Sequence, residues 1–463
     1  MNRILLAVGL FLLTAGHALT AGEPANRPNV IVILADDLGY ADLGIHGGKD
    51  IPTPNIDSIA KNGVRCTQAY VSCPYCSPTR SGLNTGRYQT RYGHEFNEPA
   101  QPQRESFGLP VSEKTIANRF KDLGYATGAI GKWHLGYTPD RRPTRRGYDE
   151  FFGTLGNTPF YKPTNFMDSR RGNEILTMDD AFYTTDAYAE RAEQFIAAHK
   201  GGPFFLYLPF NAQHVPAQAQ QKYLDRFPNI DNPERKLYAG MMAAMDDAIG
   251  RVLKSLRDAK LEDNTLIFFL SDNGGPMTKM GFNGSSNGRF RGQKGDTWEG
   301  GIHVPYFVQW KARLPAGKVY EQPVISLDIL PTAIAAAGSQ PGTDWRLDGV
   351  NLLPHLTGQN TAAPHDHLCW RFGTQWAVRQ GNWKLVAGCD YDANPLPPPQ
   401  PNLLKSTAPQ LYNLSDDPGE TKDLASAQPD RVAALKALYD KWNASNQPPA
   451  WVPNPNPAKA KAK

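Results

Sequence analysis

Two pairs of oxygen-bearing side chains stand where apolar runs end. Asp36 and Asp37 follow residues 30–34, and Asp272 and Asn273 follow residues 265–270. In an open α/β sheet, ligands bind beyond the carboxyl ends of the strands. Two such ends brought together would offer oxygen donors that suit a hard divalent cation, calcium or magnesium. Taken alone, either pair reads more readily as a turn or helix cap, because Asp and Asn favour both. A third cluster, Cys76-Ser77-Pro78-Thr79-Arg80, is sharper. Pro78 fits the first turn of a helix and puts Cys76 at its N-terminal entry. The unpaired N–H groups and the helix dipole favour an anionic oxygen or a thiolate there. The same residues also admit a structural cysteine, paired with Cys73.

The elements that must position these groups alternate along most of the chain. Residues 30–34, 125–130, 204–208 and 265–270 read as strands, and 53–62, 115–123, 185–199 and 237–260 as helices. This alternation predicts an α/β fold, a large, mostly parallel sheet with helices on both faces. After about residue 360 the pattern changes to short strands at 368–372, 376–379 and 383–386, separated by Gly-containing turns. They predict a small antiparallel sheet, closed by a helix near 431–442. Proline-rich stretches at 395–401 and 448–457 read as an extended surface loop and a disordered tail. The division expected is a leader at 1–21, a main domain at 22–360, an antiparallel-sheet subdomain at 361–445 and a tail at 446–463.

Arg3, an apolar stretch over 4–13 and the small residues Ala15, Gly16, Ala18 and Ala21 follow the order of a secretory signal peptide. That stretch is too short for a membrane span, and no later one is long and apolar enough. No Cys lies near the cleavage region, which argues against a lipid anchor. The chain is therefore expected to be exported, to a periplasm or to the cell exterior. Its formal charge of +4, from 49 basic and 45 acidic residues, gives no reason to propose nucleic acid or an anionic membrane as partner. Five cysteines (Cys66, Cys73, Cys76, Cys369 and Cys389) leave at least one unpaired. With Cys76 set aside, the remainder allow three complete pairings, and sequence selects none of them.

Cys76-Ser77-Pro78-Thr79-Arg80, closed by Thr85-Gly86-Arg87, resembles the signature of the formylglycine-dependent sulfatases, an alkaline-phosphatase-like family. Further blocks follow in that family's order: Asp36-Asp37-Leu38-Gly39-Tyr40, Thr53-Pro54-Asn55-Ile56-Asp57, Gly131-Lys132-Trp133-His134 and Asn211-Ala212-Gln213-His214. Ser271-Asp272-Asn273-Gly274-Gly275, Gly292-Gln293-Lys294-Gly295 and the C-terminal Leu411-Tyr412-Asn413-Leu414 complete the set. Thr79 stands where Ser is commoner and keeps a hydroxyl. Cys73 lacks the Pro and Arg offsets, so the resemblance assigns the modification to Cys76.

The resemblance implies roles. Cys76, oxidised to formylglycine, would supply a hydrated aldehyde as nucleophile and a ligand to one calcium ion. Asp36, Asp37, Asp272 and Asn273 would hold that ion. Arg80 would hold the hydrate, and Lys132 and Lys294 would bind sulfate oxygens, leaving a site that welcomes an anionic ester. His214 would protonate the leaving alcohol, and His134 would take a proton as the aldehyde reforms. The expected partners are a sulfated carbohydrate and, during export, a formylglycine-generating enzyme or anaerobic maturase. His94, Glu95, Asn97 and Arg371, with Trp370, could shape a sugar subsite. The rival readings are a phosphate or phosphonate ester hydrolase of the same superfamily, and an unmodified glycan-binding protein without catalysis.

Overall fold

The computed structural model describes residues 27–98, 107–172, 174–277, 282–389 and 406–452. The expected leader, the loop at 395–401 and residues 453–463 of the expected tail lie outside the described residues.

The strands, in chain order, are β1 (Asn29–Ala35), β2 (Val64–Cys66), β3 (Ala69–Tyr70), β4 (Ala126–Lys132), β5 (Glu150–Thr154), β6 (Phe166–Asp168), β7 (Phe204–Pro209) and β8 (Thr265–Ser271). They continue with β9 (Tyr306–Gln309), β10 (Lys318–Tyr320), β11 (Val324–Ile325), β12 (Leu368–Phe372), β13 (Gln375–Gln380), β14 (Trp383–Ala387) and β15 (Gln410–Asn413). Nine of them form one mixed sheet in the order β10-β2-β9-β8-β1-β7-β4-β5-β6. Its centre is parallel: β8, β1, β7, β4 and β5 run the same way. The reversed strands β9 and β6 pair antiparallel with β8 and β5.

Strands buried on both faces need no polar side, which is why 30–34 and 265–270 are unbroken apolar runs. Alternate residues still serve opposite faces. Ile31, Ile33, Ile267 and Phe269 pack into one core with the helices Thr184–His199 and Pro233–Asp258. Val30, Val32, Leu34, Leu266 and Phe268 pack into the other, with the helices Ile116–Asp122 and Ile329–Ala336. The result is the α/β layering expected, with helices on both faces.

A second sheet, β12-β13-β14-β15, is antiparallel throughout. The helix Pro429–Asn443 covers it through Leu435, Tyr439 and Trp442. The two sheets are tied by buried charge. Lys384 of β14, inaccessible to solvent, lies 2.9 Å from both Glu299 and Glu420. Gln375 at the start of β13 donates Nε2–H to Gly295 O at 2.9 Å and accepts from Thr297 N–H at 3.2 Å.

One expectation is corrected within the described residues. Residues 446–452, assigned to a disordered tail, are anchored by backbone hydrogen bonds and one buried side chain. Gln447 N–H donates to Thr90 O at 2.9 Å and Ala450 N–H to Gly93 O at 2.8 Å. Trp451 is buried against His94 and Phe107 and donates Nε1–H to Asn97 O at 3.0 Å. A buried aromatic of this kind contributes roughly 1.5–3 kcal/mol, which outweighs the local preference of a Pro-rich segment for extended, solvated backbone.

Candidate active site

Sheet register sets the site. Ala35 of β1 pairs with Ser271 of β8, so Asp36 and Asp272 leave adjacent parallel strands side by side. Asp36 N–H donates to Ala212 O (2.8 Å) and Asp272 N–H to Ala35 O (3.0 Å), which holds both backbones. Asp37 N–H donates to Asp272 Oδ1 at 3.2 Å, and Asn273 Nδ2–H to Asp37 Oδ1 at 2.7 Å. Carboxylate oxygens of Asp36, Asp37 and Asp272 lie within 4.8 Å of one another. Among the described residues, Asp36 Oδ1 and Asn273 Oδ1 are buried with no hydrogen-bond partner. An orphaned buried acceptor costs about 1–3 kcal/mol. A cation taken by oxygen donors alone would satisfy both, and that donor set fits calcium or magnesium better than zinc.

Three cations answer the carboxylates. Arg80 donates from Nε and Nη2 to Asp272 Oδ2 at 2.9 and 2.7 Å, and from Nη1 to Lys132 O at 2.9 Å. Lys132, at the end of β4, donates to Asp36 Oδ2 at 2.5 Å. Lys294 Nζ lies 2.7 Å from Asp37 Oδ1 and 2.8 Å from Oδ2. Burial would raise the Asp36 carboxyl, but Lys132, His214, Arg80 and Lys294 outweigh it and hold it well below the carboxylate range. Burial and then the charge on Asp36 push Asp272 upward. Gly131, at φ 133°, lets β4 reach this position, since a Cβ there would meet Pro209 O at 1.9 Å.

Cys76 opens the fully buried helix Cys76–Thr85, which ends at Gly86 in a left-handed conformation with φ 65°. Thr79 Oγ1 donates to Cys73 O at 2.5 Å, fixing the turn that enters the helix. Burial pushes the Cys76 thiol up to about 12, so little of it is thiolate, the nucleophilic form, near neutral pH. The five cysteines are buried and none is in a disulfide, so no pairing that the sequence left open is formed.

The two histidines flank this entry differently. Ligand atoms of His214, Asp36 and Cys76 lie within 4.8 Å of one another. His214 Nδ1 is 2.5 Å from Val215 O, which can only accept, so Nδ1 carries the proton and Nε2 faces the site, 3.8 Å from Asp37 Oδ2. Burial, with Lys294 and Lys132, pushes the His214 imidazolium down to about 4. His134 is buried at φ 59°, and burial, Lys132 and Arg80 hold its ring neutral. A neutral imidazole is able to accept a proton.

The proposed sugar-subsite residues are engaged within the protein. His94 is buried with Nε2 2.6 Å from Ser77 Oγ. Glu95 Oε2 accepts from Arg371 Nη2 and Nε at 2.7 and 3.0 Å. Asn97 Oδ1 accepts from Ser77 N–H at 2.9 Å. Trp370 is fully buried and donates Nε1–H to Val71 O at 2.7 Å, so it has no face free for stacking. These residues brace the loop that follows the helix Cys76–Thr85. Two residues near the site were missed in the sequence. Asn283 Nδ2 donates to Asp37 O and Gln213 O at 3.2 and 2.8 Å. Glu98 Oε2 lies 3.5 Å from His134 Nε2. Asn283 has no sequence signal, whereas Glu98 follows His94 in a run already singled out for its polar groups.

Carboxylates at adjacent strand ends, lysines reaching them and a buried helix entry beside His214 suit ester hydrolysis with metal assistance. The sulfatase family model matches residues 28–339, and the chain belongs to the sulfatase family. It is similar to arylsulfatase J of Mus musculus, 34% identical over 94% of this chain and 79% of that protein. It is likewise similar to N-acetylgalactosamine-6-sulfatase of Canis lupus familiaris, 34% identical over 93% of this chain and 87% of that protein. The solved structure of Ps i-CgsB in complex with k-i-k-neocarrahexaose has a TM-score of 0.81 at 35% identity, covering 94% of this chain and 96% of that one. The chain is a sulfuric ester hydrolase of alkaline-phosphatase-like fold.

Proposed function

We propose that the protein is an exported carbohydrate sulfatase that acts through formylglycine at position 76 and one calcium ion. The observation that carries this reading is the pair of orphaned acceptors, Asp36 Oδ1 and Asn273 Oδ1, beside a buried Cys76 with Pro and Arg at the signature offsets. Formylglycine at Cys76 would supply a hydrated aldehyde as nucleophile, made by a formylglycine-generating enzyme or anaerobic maturase. Calcium held by Asp36, Asp37, Asp272 and Asn273 would supply positive charge at the attacking and sulfate oxygens. Lys132 and Lys294 bind the remaining sulfate oxygens where transition-state charge sits, and Arg80 holds the nucleophile's oxygen. The negative charge of a bound sulfate ester would offset Lys294 and Lys132 and raise the His214 imidazolium, so that Nε2 takes up the proton it passes to the leaving alcohol, and His134 accepts a proton on release of sulfate.

Carbohydrate is favoured by the likeness to Ps i-CgsB, whose structure holds a neocarrahexaose, and to N-acetylgalactosamine-6-sulfatase. Among the described residues, no helix is long and apolar enough to cross a membrane. Activity on a panel of defined sulfated mono- and oligosaccharides, with aryl sulfate, aryl phosphate and a steroid sulfate as references, is the test. At least one glycan is expected to give the highest kcat/KM. A steroid sulfate or aryl phosphate preferred over every glycan would overturn this reading.

The acid role of His214 has its own signature. An acidic phenol leaves without much protonation, whereas a sugar alcohol does not. His214→Ala is expected to lower kcat on a sugar sulfate by about 10²–10⁴-fold, with a clearly smaller loss on an activated aryl sulfate. Equal losses on the two substrates would remove His214 from that role.

A further inference from the structure

Glu98 is a buried carboxylate beside the site to which no role is assigned above. It ends the described part of the loop after the helix Cys76–Thr85, with its side chain 1% exposed. Ser77 Oγ approaches its Oε1 at 3.4 Å, and its Oε2 has no hydrogen-bond partner among the described residues. Burial raises the Glu98 carboxyl to about 8, and an N–H donated from His134 Nε2, which Oε2 faces at 3.5 Å, lowers it again and keeps it the acceptor of the pair. His134 Nδ1 is also buried without a partner among the described residues. The backbone helps to aim this ring. His134 N–H donates to Leu155 O at 3.0 Å with φ at 59°, a conformation that costs a non-glycine residue about 1–3 kcal/mol.

Two buried, unsatisfied groups at this separation are a small side-chain rotation from a hydrogen bond, and catalytic contacts of this length tighten when substrate binds. A carboxylate behind an imidazole fixes its tautomer and orientation and stabilises the imidazolium it becomes. We propose that Glu98 is the positioning residue of His134, fixing the proton on Nε2 so that Nδ1 is the acceptor in the reaction.

The inference rests on the formylglycine reading for its catalytic consequence. His134 Nδ1 accepts the proton of the second hydroxyl on modified Cys76, the aldehyde C=O forms, and the carbon–oxygen bond to sulfate breaks with its electron pair leaving on sulfate. The titratable and charged groups facing His134 are Lys132, Arg80, Asp36 and His214, and those facing Glu98 are Lys132 and Tyr137. Beside these, Glu98 Oε2 lies against His134 Nε2 at 3.5 Å.

The tautomer is read directly by nitrogen-15 NMR of histidine-labelled, unmodified protein, with His134→Gln identifying the resonance. The wild type is expected to hold the proton on Nε2. Glu98→Leu should lose that preference, and Glu98→Gln, which keeps an acceptor at similar reach, should retain it. In matured enzyme with an aryl sulfate, Glu98→Leu should lower kcat by about 10–100-fold with KM little changed, and phenol release should outrun sulfate release in the first turnover. If Glu98→Leu does not fold, Glu98→Gln carries the test, because it lacks the charge that stabilises the imidazolium and should also lose kcat. An unchanged tautomer in Glu98→Leu, wild-type kcat in Glu98→Gln, or a rise in KM at constant kcat would overturn the proposal. The last result would make Glu98 a substrate contact. The NMR arm uses unmodified chain, so an intact thiol found at Cys76 by mass spectrometry would defeat the formylglycine reading and leave the tautomer result standing.

Discussion

Cys76→Ala is expected to lose sulfatase activity by at least about 10⁴-fold, the scale on which enzymes lose rate when a catalytic nucleophile is removed. The fold should survive the change. Cys76 is the first residue of its helix and forms no disulfide, so alanine removes one buried sulfur and no tie. The loss is therefore chemical, and circular dichroism and thermal unfolding should match the parent within a few degrees. The companion observation comes from peptide mass spectrometry of protein made in an export-competent host. Position 76 should carry formylglycine and position 73 an ordinary cysteine. Full activity in Cys76→Ala would end the proposed mechanism.

Removing the cation should abolish activity and lower Tm without unfolding the protein. The folded state can survive because Arg80, Lys132 and Lys294 already lie against Asp272, Asp36 and Asp37. What is lost is the linkage term: a ligand present at 100 times its Kd stabilises the folded state by about 2.7 kcal/mol. Chelator followed by calcium in a thermal-shift experiment should lower and then restore Tm, and activity should follow. The Asp36→Asn variant should show a much weaker response to added calcium, because it replaces a ligand carboxylate by a neutral amide. Stoichiometric zinc in the active protein would contradict an all-oxygen site.

The parts legible in the sequence are those carried by local pattern. The runs that became β1, β4, β7 and β8 are apolar over most of their length because they lie inside the sheet, and each sits within two residues of its expected bounds. Strands β2, β6 and β10 have three residues each, too few to show a period. β15 was read only as part of a family block, because a single short strand beside a Pro-rich stretch gives no hairpin signal. At the site, Asp36, Asp37, Asp272 and Asn273 were found because strand ends are where α/β sheets place ligands. The Glu98–His134 approach spans two loops, and the grip of Gln375 on Gly295 spans the two sheets. Convergence of that kind leaves no spacing to read. Residues 446–452 illustrate the converse: local composition pointed to disorder, and tertiary burial of Trp451 overrode it.

That last contact has a consequence for the order of events in the protein's life. Cys76 has no solvent exposure in the finished fold. Gly295 N–H closes over Pro74 O at 2.9 Å on one side, and on another the loop 93–97 is held by Ala450 and Trp451, more than 350 residues further along the chain. The oxidation proposed for Cys76 would therefore have a deadline, which falls when Ala450 and Trp451 dock. On the proposed mechanism, a molecule that reaches this conformation with its thiol intact would be out of reach of a maturing enzyme and would stay inactive until it unfolds. Preparations from hosts that fold the chain faster than they modify it should then contain two stable populations of one shape. The specific activity of such a preparation would measure the outcome of that race.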